Sequence, residues 1–268
     1  MRILDAVILA AVQGVTEFFP VSSSGHLVLV QRLLGIDSGQ ALTFDVFVHL
    51  GTVVSIVLVL RRDIVDVLRS LWRGVVHLRL REEYRTSEPA RVGLAMIVGS
   101  IPAGVVGILF RRQVQAAFAD PKLVSVGLVL TGLLLFLTRL AKPVPGKRVG
   151  LLSGCLIGLA QAAAVIPGIS RSGVTMSTAT YLRLSPERAA RFSFLLAVPV
   201  IVGAAVLETP RLLEASSGLT LPSLIGAGVS AVVGTIAIRA VLRQLERGGF
   251  SVFALYCLAA GTAGILFL

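Results

Sequence analysis

Long apolar runs separated by short charged stretches set the pattern of this chain. They fall at about 3–19, 27–34, 44–60, 92–110, 123–138, 149–166, 192–207, 223–238 and 251–268. Six of them (44–60, 92–110, 123–138, 192–207, 223–238 and 251–268) approach the ~20 residues that a helix needs to cross a bilayer. Two others are interrupted. The run at 3–19 ends in Phe18-Phe19-Pro20 and continues as Val21-Ser22-Ser23-Ser24-Gly25-His26. The run at 149–166 ends in Ile166-Pro167-Gly168 and continues as Ile169-Ser170-Arg171-Ser172-Gly173. Both read as helices broken by Pro or Gly and resumed through hydroxyl-rich residues. In a membrane such irregular backbone is tolerated only where protein buries it or a wet cavity receives it.

The two interrupted segments look like copies at an offset of about 147. Gln13-Gly14 and Gln161-Ala162 precede the prolines, Ser23 and Ser170 each follow by three residues, and Phe44 and Phe192 open the next apolar run. Three spans after each pair, an odd number, require the second copy to be inverted. That is the paired, interrupted pattern of inverted-repeat membrane folds, whose sites lie near the midplane. The expected architecture is an all-α integral membrane protein of two inverted-topology repeats. Each is a re-entrant helix–loop–helix plus three transmembrane helices, giving six spans and two re-entrant hairpins. The chain 1–268 forms a single membrane domain, with repeat 1 at about 1–142 and repeat 2 at about 147–268.

Charge orients the spans. The stretch 61–91 carries eight Arg, and 139–148 and 239–247 are also basic. Between them, 111–122 has three basic residues and 208–222 only Arg211. The rule that basic loops stay inside makes 61–91 a cytoplasmic basic loop and turns both termini outward. Within it Ile64, Leu68, Leu71, Val75 and Leu78 recur at helical spacing opposite Asp66, Arg69 and Arg73. A helix lying on the inner membrane surface and a solvated extension of the span fit this pattern equally well. The N-terminus resembles a signal peptide but reads as retained, because no small-residue cleavage site leads into a soluble domain.

Composition agrees. Of 268 residues 55% are apolar and 15% charged, against ~25% charged in soluble domains, and the mean hydropathy is +0.90. A soluble domain and a disordered chain are thereby excluded. The net charge of +11 belongs to the topology and not to nucleic acid, since the Arg residues sit between apolar runs. Cys155 and Cys257 both lie inside such runs and read as packed small residues.

Few charged groups fall within the apolar body: Glu17, Asp45 and Arg171, with His26 and His49. Insertion scales charge about 2.5–3.5 kcal/mol for Arg or Asp at mid-bilayer, so such residues are functional candidates. Together with Ser22, Ser23, Ser24, Ser170, Ser172 and Thr175 they would converge on one cavity. Their chemistry suits phosphate. Arg offers a planar fork, helix starts offer free N–H groups, and a Ser near a His can be an activated nucleophile. Glu17 can hold a divalent cation or act as a general base. Asp45 and His49 share a face, and a capping or supporting role suits them. Ordinary helix caps and a structural Glu17–Arg171 ion pair are the plain alternatives.

The segment Gln13-Gly14-Val15-Thr16-Glu17-Phe18-Phe19-Pro20-Val21-Ser22-Ser23-Ser24-Gly25-His26-Leu27 closely resembles the first signature of the undecaprenyl-diphosphate phosphatase family, also called bacitracin-resistance proteins. Pro167-Gly168-Ile169-Ser170-Arg171-Ser172-Gly173-Val174-Thr175 resembles the second. The resemblance implies hydrolysis of undecaprenyl diphosphate to the monophosphate and inorganic phosphate at the outer face of the membrane. That reaction recycles the lipid carrier of cell-wall synthesis and confers bacitracin resistance. The resemblance also implies a bacterial inner-membrane location and a divalent cation, Mg²⁺ or Ca²⁺. The family often has Glu where this chain has Gln13, so a metal site built on Glu17 and Gln13 is weaker for that departure. Within this reading Ser23 is the nucleophile and His26 its acid/base partner. Arg171 clamps the phosphates, Glu17 orients metal or water, and Ser22, Ser24, Ser170, Ser172 and Thr175 bind substrate. Direct attack by water stays open. The expected partners are the polyprenyl diphosphate and the bilayer, with no nucleic acid and a homodimer left open. A transporter or lipid flippase is the competing reading, because carriers share the midplane anion site.

Overall fold

The computed structural model describes residues 1–36, 38–111, 113, 117, 120–214 and 220–267, and every regular element among them is helical. In chain order these are α1 (Ile3–Thr16), α2 (Ser23–Leu33), α3 (Ser38–Val59), α4 (Arg61–Val76), α5 (Leu80–Thr86) and α6 (Glu88–Leu109). There follow α7 (Pro121–Leu137), α8 (Leu151–Ala163), α9 (Arg171–Tyr181), α10 (Pro186–Glu214), α11 (Leu221–Gly248) and α12 (Ser251–Phe267). Asp37, residues 112, 114–116 and 118–119 of the expected 111–122 loop, residues 215–219 of the 208–222 loop and Leu268 lie outside the described residues.

Local sequence sets several helix starts. Ser87, Asp120 and Thr220 each accept a backbone N–H of the first turn, and Pro89, Pro121 and Pro222 occupy positions where a missing N–H costs nothing. Four helices among the described residues are long and apolar enough to span a membrane: Glu88–Leu109, Pro121–Leu140, Pro186–Thr209 and Leu221–Glu246. A fifth candidate is bent, because Thr43–Val59 meets α4 at 84°. The expected span at 251–268 is the 17-residue α12, about 26 Å at 1.5 Å per residue, short of a ~30 Å hydrocarbon core. The chain is a multi-pass membrane protein.

The stretch 61–91 is largely helical, as α4 and α5, and not an open loop. Val67, Ser70 and Gly74 of α4 are buried, and Gly93 of α6 packs against Val67 and Leu71. Leu68, Trp72, Val75 and Val76 remain exposed, Trp72 at 70%. α10 and α11 run past their apolar stretches into charged sequence at Glu208 and Arg239.

Helices pack in exchanging pairs. α1 lies on α11 and α8 lies on α6, α3 packs on α11 and α10 on α6, α7 packs on α12, and α3 touches α10. Glycines permit the closest of these approaches. A Cβ at Gly51 would come 2.3 Å from the Ala227 carbonyl oxygen, and one at Gly158 2.3 Å from that of Gly99. Where lipid offers no hydrophobic driving force, such van der Waals contact holds helices together. Between these helices Phe18, Ile56, Leu135, Met176, Phe194 and Ile238 form a buried cluster, with Phe18 edge-on to Phe194 at 5.3 Å. Phe18 and Val21 of the first interrupted segment belong to it.

Candidate active site

The first break begins within α1. Gln13 and Glu17 are one turn apart, and Gln13 Nε2 donates to Glu17 Oε2 at 3.0 Å. After Phe18-Phe19-Pro20-Val21 the chain turns at Ser22, whose φ of +69° is in the left-handed region. For a residue with a Cβ that conformation costs about 1–3 kcal/mol and persists only where its surroundings enforce it. Ser22 caps α2 by accepting the Gly25 N–H at 3.4 Å, and Ser24 Oγ sits 3.4 Å from Ser22 Oγ. The turn sends Ser23 back toward α1, where its hydroxyl donates to Glu17 Oε2 at 2.6 Å.

The second break is pinned from below. Gly168 has φ +83°, and a Cβ there would lie 1.9 Å from the Val124 carbonyl oxygen of α7, so only glycine fits. Ser170 caps α9 by accepting the Gly173 N–H at 3.0 Å, and its own N–H donates to Thr131 Oγ1 at 2.9 Å. Arg171, the first residue of α9, reaches across. One of its amino groups donates to Glu17 Oε1 at 2.6 Å and the other to the Ser193 carbonyl at 3.2 Å. Ser172 Oγ donates to the Phe19 carbonyl at 3.3 Å, which ties one break to the other.

Above this pair lies a cavity of about 430 Å³, walled by Glu17, Ser22, Ser23, Ser24, Ile169 and Arg171, by Asp45, Val46 and His49 of α3, and by α10 from Val200 to Glu208. Glu17 is only 5% exposed, and both its oxygens are engaged. His49 Nε2 stands 3.8 Å from Glu17 Oε2, while its Nδ1 is 2.7 Å from the Asp45 carbonyl oxygen and so carries the hydrogen. Asp45 accepts a bond from Gln31 Nε2 at 2.7 Å. An apolar groove of about 780 Å³ joins the cavity at Ala164, Val165, Val200 and Ala204 and runs between α6 and α10. Glu208 lines both spaces and pairs with Arg111 at 2.5 Å.

The structure therefore brings Glu17, Ser22, Ser23, Ser24 and Arg171 to one cavity, with Asp45 and His49. It does not bring His26 to Ser23. The Nδ1 of His26 lies 2.8 Å from the Ser22 carbonyl and its Nε2 lies 2.6 Å from the Tyr256 hydroxyl of α12, so both ring nitrogens are occupied away from the cavity. Ser170, Ser172 and Thr175 do not line the cavity either. They are buried beneath it, and Thr175 is bonded to Ser193 at 2.6 Å. Sequence reasoning missed Glu208, Arg111 and Tyr256. Glu208 sits where α10 outruns its apolar stretch and Arg111 just beyond the end of α6, so both read as loop charges.

The model of the family described as bacitracin resistance protein BacA matches residues 6–263. The chain belongs to this family. Members named undecaprenyl-diphosphatase include one from Salinibacter ruber, 41% identical over 98% of each chain. Another, from Geobacter metallireducens, is 39% identical over 100% of this chain and 99% of its own. One from Korarchaeum cryptofilum is 38% identical over 98% of each. Matches this long align both breaks and everything between them, so the cavity described above falls wholly within the BacA family region.

Proposed function

We propose that this chain hydrolyses undecaprenyl diphosphate to undecaprenyl phosphate and inorganic phosphate, the activity in the names of its relatives. The observation that carries the reading is the Ser23 hydroxyl donating at 2.6 Å to a carboxylate that also holds Arg171, all on one cavity wall. A nucleophile, a base and a guanidinium fork are what phosphoryl transfer requires, because catalysis there is mainly positioning and charge stabilisation. A carrier needs the anion site but not the poised hydroxyl.

Ser23 Oγ attacks the terminal phosphorus and its proton passes to Glu17. The bond from that phosphorus to the bridging oxygen breaks, and the lipid monophosphate departs with the proton from Glu17. Water then attacks the phosphoserine, its proton returning through Glu17 to the Ser23 oxygen as inorganic phosphate leaves. Arg171 keeps its bonds to Glu17 and the Ser193 carbonyl, and its remaining N–H groups face the phosphoryl oxygens. His49 is close enough to relay protons to Glu17 through a single water. The apolar groove between α6 and α10 suits the polyprenyl chain, since it opens from the cavity and is floored by Gly104, Gly107 and Gly203.

One spot offers oxygens to a divalent cation, although Gln13 is fully buried outside the cavity lining and both Glu17 oxygens already carry hydrogen bonds. The buried Gln13 Oε1 has no hydrogen-bond partner among the described residues and sits on a side chain already bonded to Glu17. Glu17 and Gln13 would hold Mg²⁺ or Ca²⁺, hard cations that favour such oxygens and complete their shells with phosphates and water. Bound there, the cation would neutralise phosphate charge. No group of three or more His, Cys, Asp and Glu side chains among the described residues forms a metal cage, so the substrate itself would supply ligands.

The exchanging helix pairs and the matched breaks support two inverted repeats, about 1–142 and 147–268, with α1–α2 and α8–α9 as re-entrant hairpins. α3 lines the cavity from its first twelve residues (Asp45, Val46 and His49), whereas the Arg-rich α4 follows the other end of that helix. With basic segments inside, the cavity faces outward from a bacterial inner membrane, where the reaction would recycle the carrier and counter bacitracin. The test is phosphate release from undecaprenyl diphosphate by purified protein in detergent, with Ser23→Ala alongside. Binding without phosphate release would establish the carrier reading. Near-normal turnover by Ser23→Ala would replace the covalent step with direct water attack.

A further inference from the structure

The turn that aims Ser23 at Glu17 depends on a left-handed serine, and something must hold that serine in place. The bonds that do so lead to the last helix. The Ser22 carbonyl can only accept, so the His26 Nδ1 that lies 2.8 Å away carries a hydrogen. In the neutral ring this leaves Nε2 as an acceptor, and the Tyr256 hydroxyl, 2.6 Å away, donates to it. The two rings are stacked with centroids 5.7 Å apart and 17° between their planes, so the phenol holds the imidazole in place. Tyr256 stands on α12, 47% exposed and outside the cavity. His26 belongs to α2, one turn beyond the nucleophile.

We infer that Tyr256 and His26 are positioning residues: the Ser22 carbonyl selects the Nδ1–H tautomer of His26, Tyr256 donates to Nε2 and holds the ring in place, and the Nδ1–H holds the Ser22 carbonyl so that Ser23 points at Glu17. His26 then moves no proton in the reaction. The inference rests on the phosphatase reading for its kinetic consequences, but the arrangement itself has a readout independent of activity.

Asn places its amide nitrogen where Nδ1 of His stands, whereas Gln places its own where Nε2 stands. His26→Asn therefore keeps the bond to Ser22, and His26→Gln keeps only the reach toward Tyr256. In the purified full-length protein with undecaprenyl diphosphate, Tyr256→Phe is expected to lower kcat by about tenfold, the scale of one lost neutral hydrogen bond. KM should stay unchanged. His26→Asn should retain at least ten times the kcat of His26→Gln, as a rough estimate on the same scale. Adding Tyr256→Phe to His26→Asn should cost nothing more, because the tyrosine acts only through the imidazole. Equal inactivity of His26→Asn and His26→Gln would overturn the inference in favour of acid/base chemistry at Nε2, as would a normal kcat in Tyr256→Phe. ¹⁵N spectra of histidine-labelled protein, assigned by loss of the signal in His26→Asn, should show an Nδ1–H tautomer whose hydrogen-bonded Nε2 signal moves downfield, toward that of a free acceptor nitrogen, in Tyr256→Phe. An unchanged Nε2 signal would refute the anchor whether or not the wild type releases phosphate. Absence of turnover in the wild type would instead count against the phosphatase reading.

Discussion

Replacing Arg171 by lysine separates phosphate chemistry from simple charge neutralisation. The guanidinium uses one amino group on Glu17 Oε1 at 2.6 Å and the other on the Ser193 carbonyl at 3.2 Å, with its side chain 15% exposed. Lysine preserves the positive charge beside Glu17, so the ion pair survives and the protein should fold. An ammonium is a point charge on a flexible stem, however, and it cannot grip Glu17, the Ser193 carbonyl and a phosphoryl oxygen in fixed directions together. The missing donor matters most when negative charge spreads over the transferred phosphoryl group. Arg171→Lys is therefore expected to lower kcat by about 10²–10³, the usual cost of one oriented donor, with KM altered far less. Arg171→Ala leaves Glu17 buried and unpaired, which costs about 3–5 kcal/mol of stability. Phosphate release measures the first effect and thermal unfolding in detergent the second. The phosphate-clamp assignment fails if Arg171→Lys turns over normally while Arg171→Ala unfolds.

Other substitutions probe the surroundings. Leucine at Gly107 or Gly203, where an added Cβ meets nothing within 4 Å, should fill the groove. KM should then rise for the C55 diphosphate but not for a short-chain prenyl diphosphate, and equal effects on both would remove the tail from this groove. Arg111→Ala should raise KM and show coupling to Glu208→Gln in a double-mutant cycle; strictly additive effects would make their contact incidental. Gly168→Ala drives a Cβ into the Val124 carbonyl, and a variant as stable as the wild type would show that the second break is not pinned to α7. Chelation by EDTA should stop turnover and Mg²⁺ or Ca²⁺ restore it; full activity in metal-free buffer would remove Glu17 and Gln13 from that role.

The two breaks were legible because Pro and Gly inside apolar runs, followed by hydroxyls, have few explanations in a membrane. Glu17 and Arg171 stood out for the cost of burying a charge, and the structure sets them in contact. Which serines face the cavity was not legible. Ser22–Ser24 and Ser170–Ser172 look alike as strings, yet Ser22 is left-handed while Ser170 has an ordinary φ of −73°. One turn opens its hydroxyls to the cavity and the other folds them into the packing beneath. Tyr256 is a single polar atom in an apolar helix, 230 residues from His26, and no periodicity points to such a partner. The 84° bend after α3 agrees with one of the two readings of 61–91, a helix turned off the span, and helical spacing alone did not choose between it and a straight extension.

The Glu17–Arg171 contact also orders the making of the protein in time. The two side chains are 154 residues apart, so during synthesis the carboxylate reaches the bilayer long before its guanidinium exists. Until then α1, 14 residues long, is too short to cross and carries a charge that insertion scales set at about 2.5–3.5 kcal/mol at mid-bilayer. The first hairpin must therefore wait near the interface, or beside water, for the second to arrive. Ser172 donating to the Phe19 carbonyl closes the same joint. The Glu17–Arg171 seam thus closes only after its second half is made, and α11 and α12, which pack on α1 and α7, are made later still, so the cavity is complete only when the whole chain is in place.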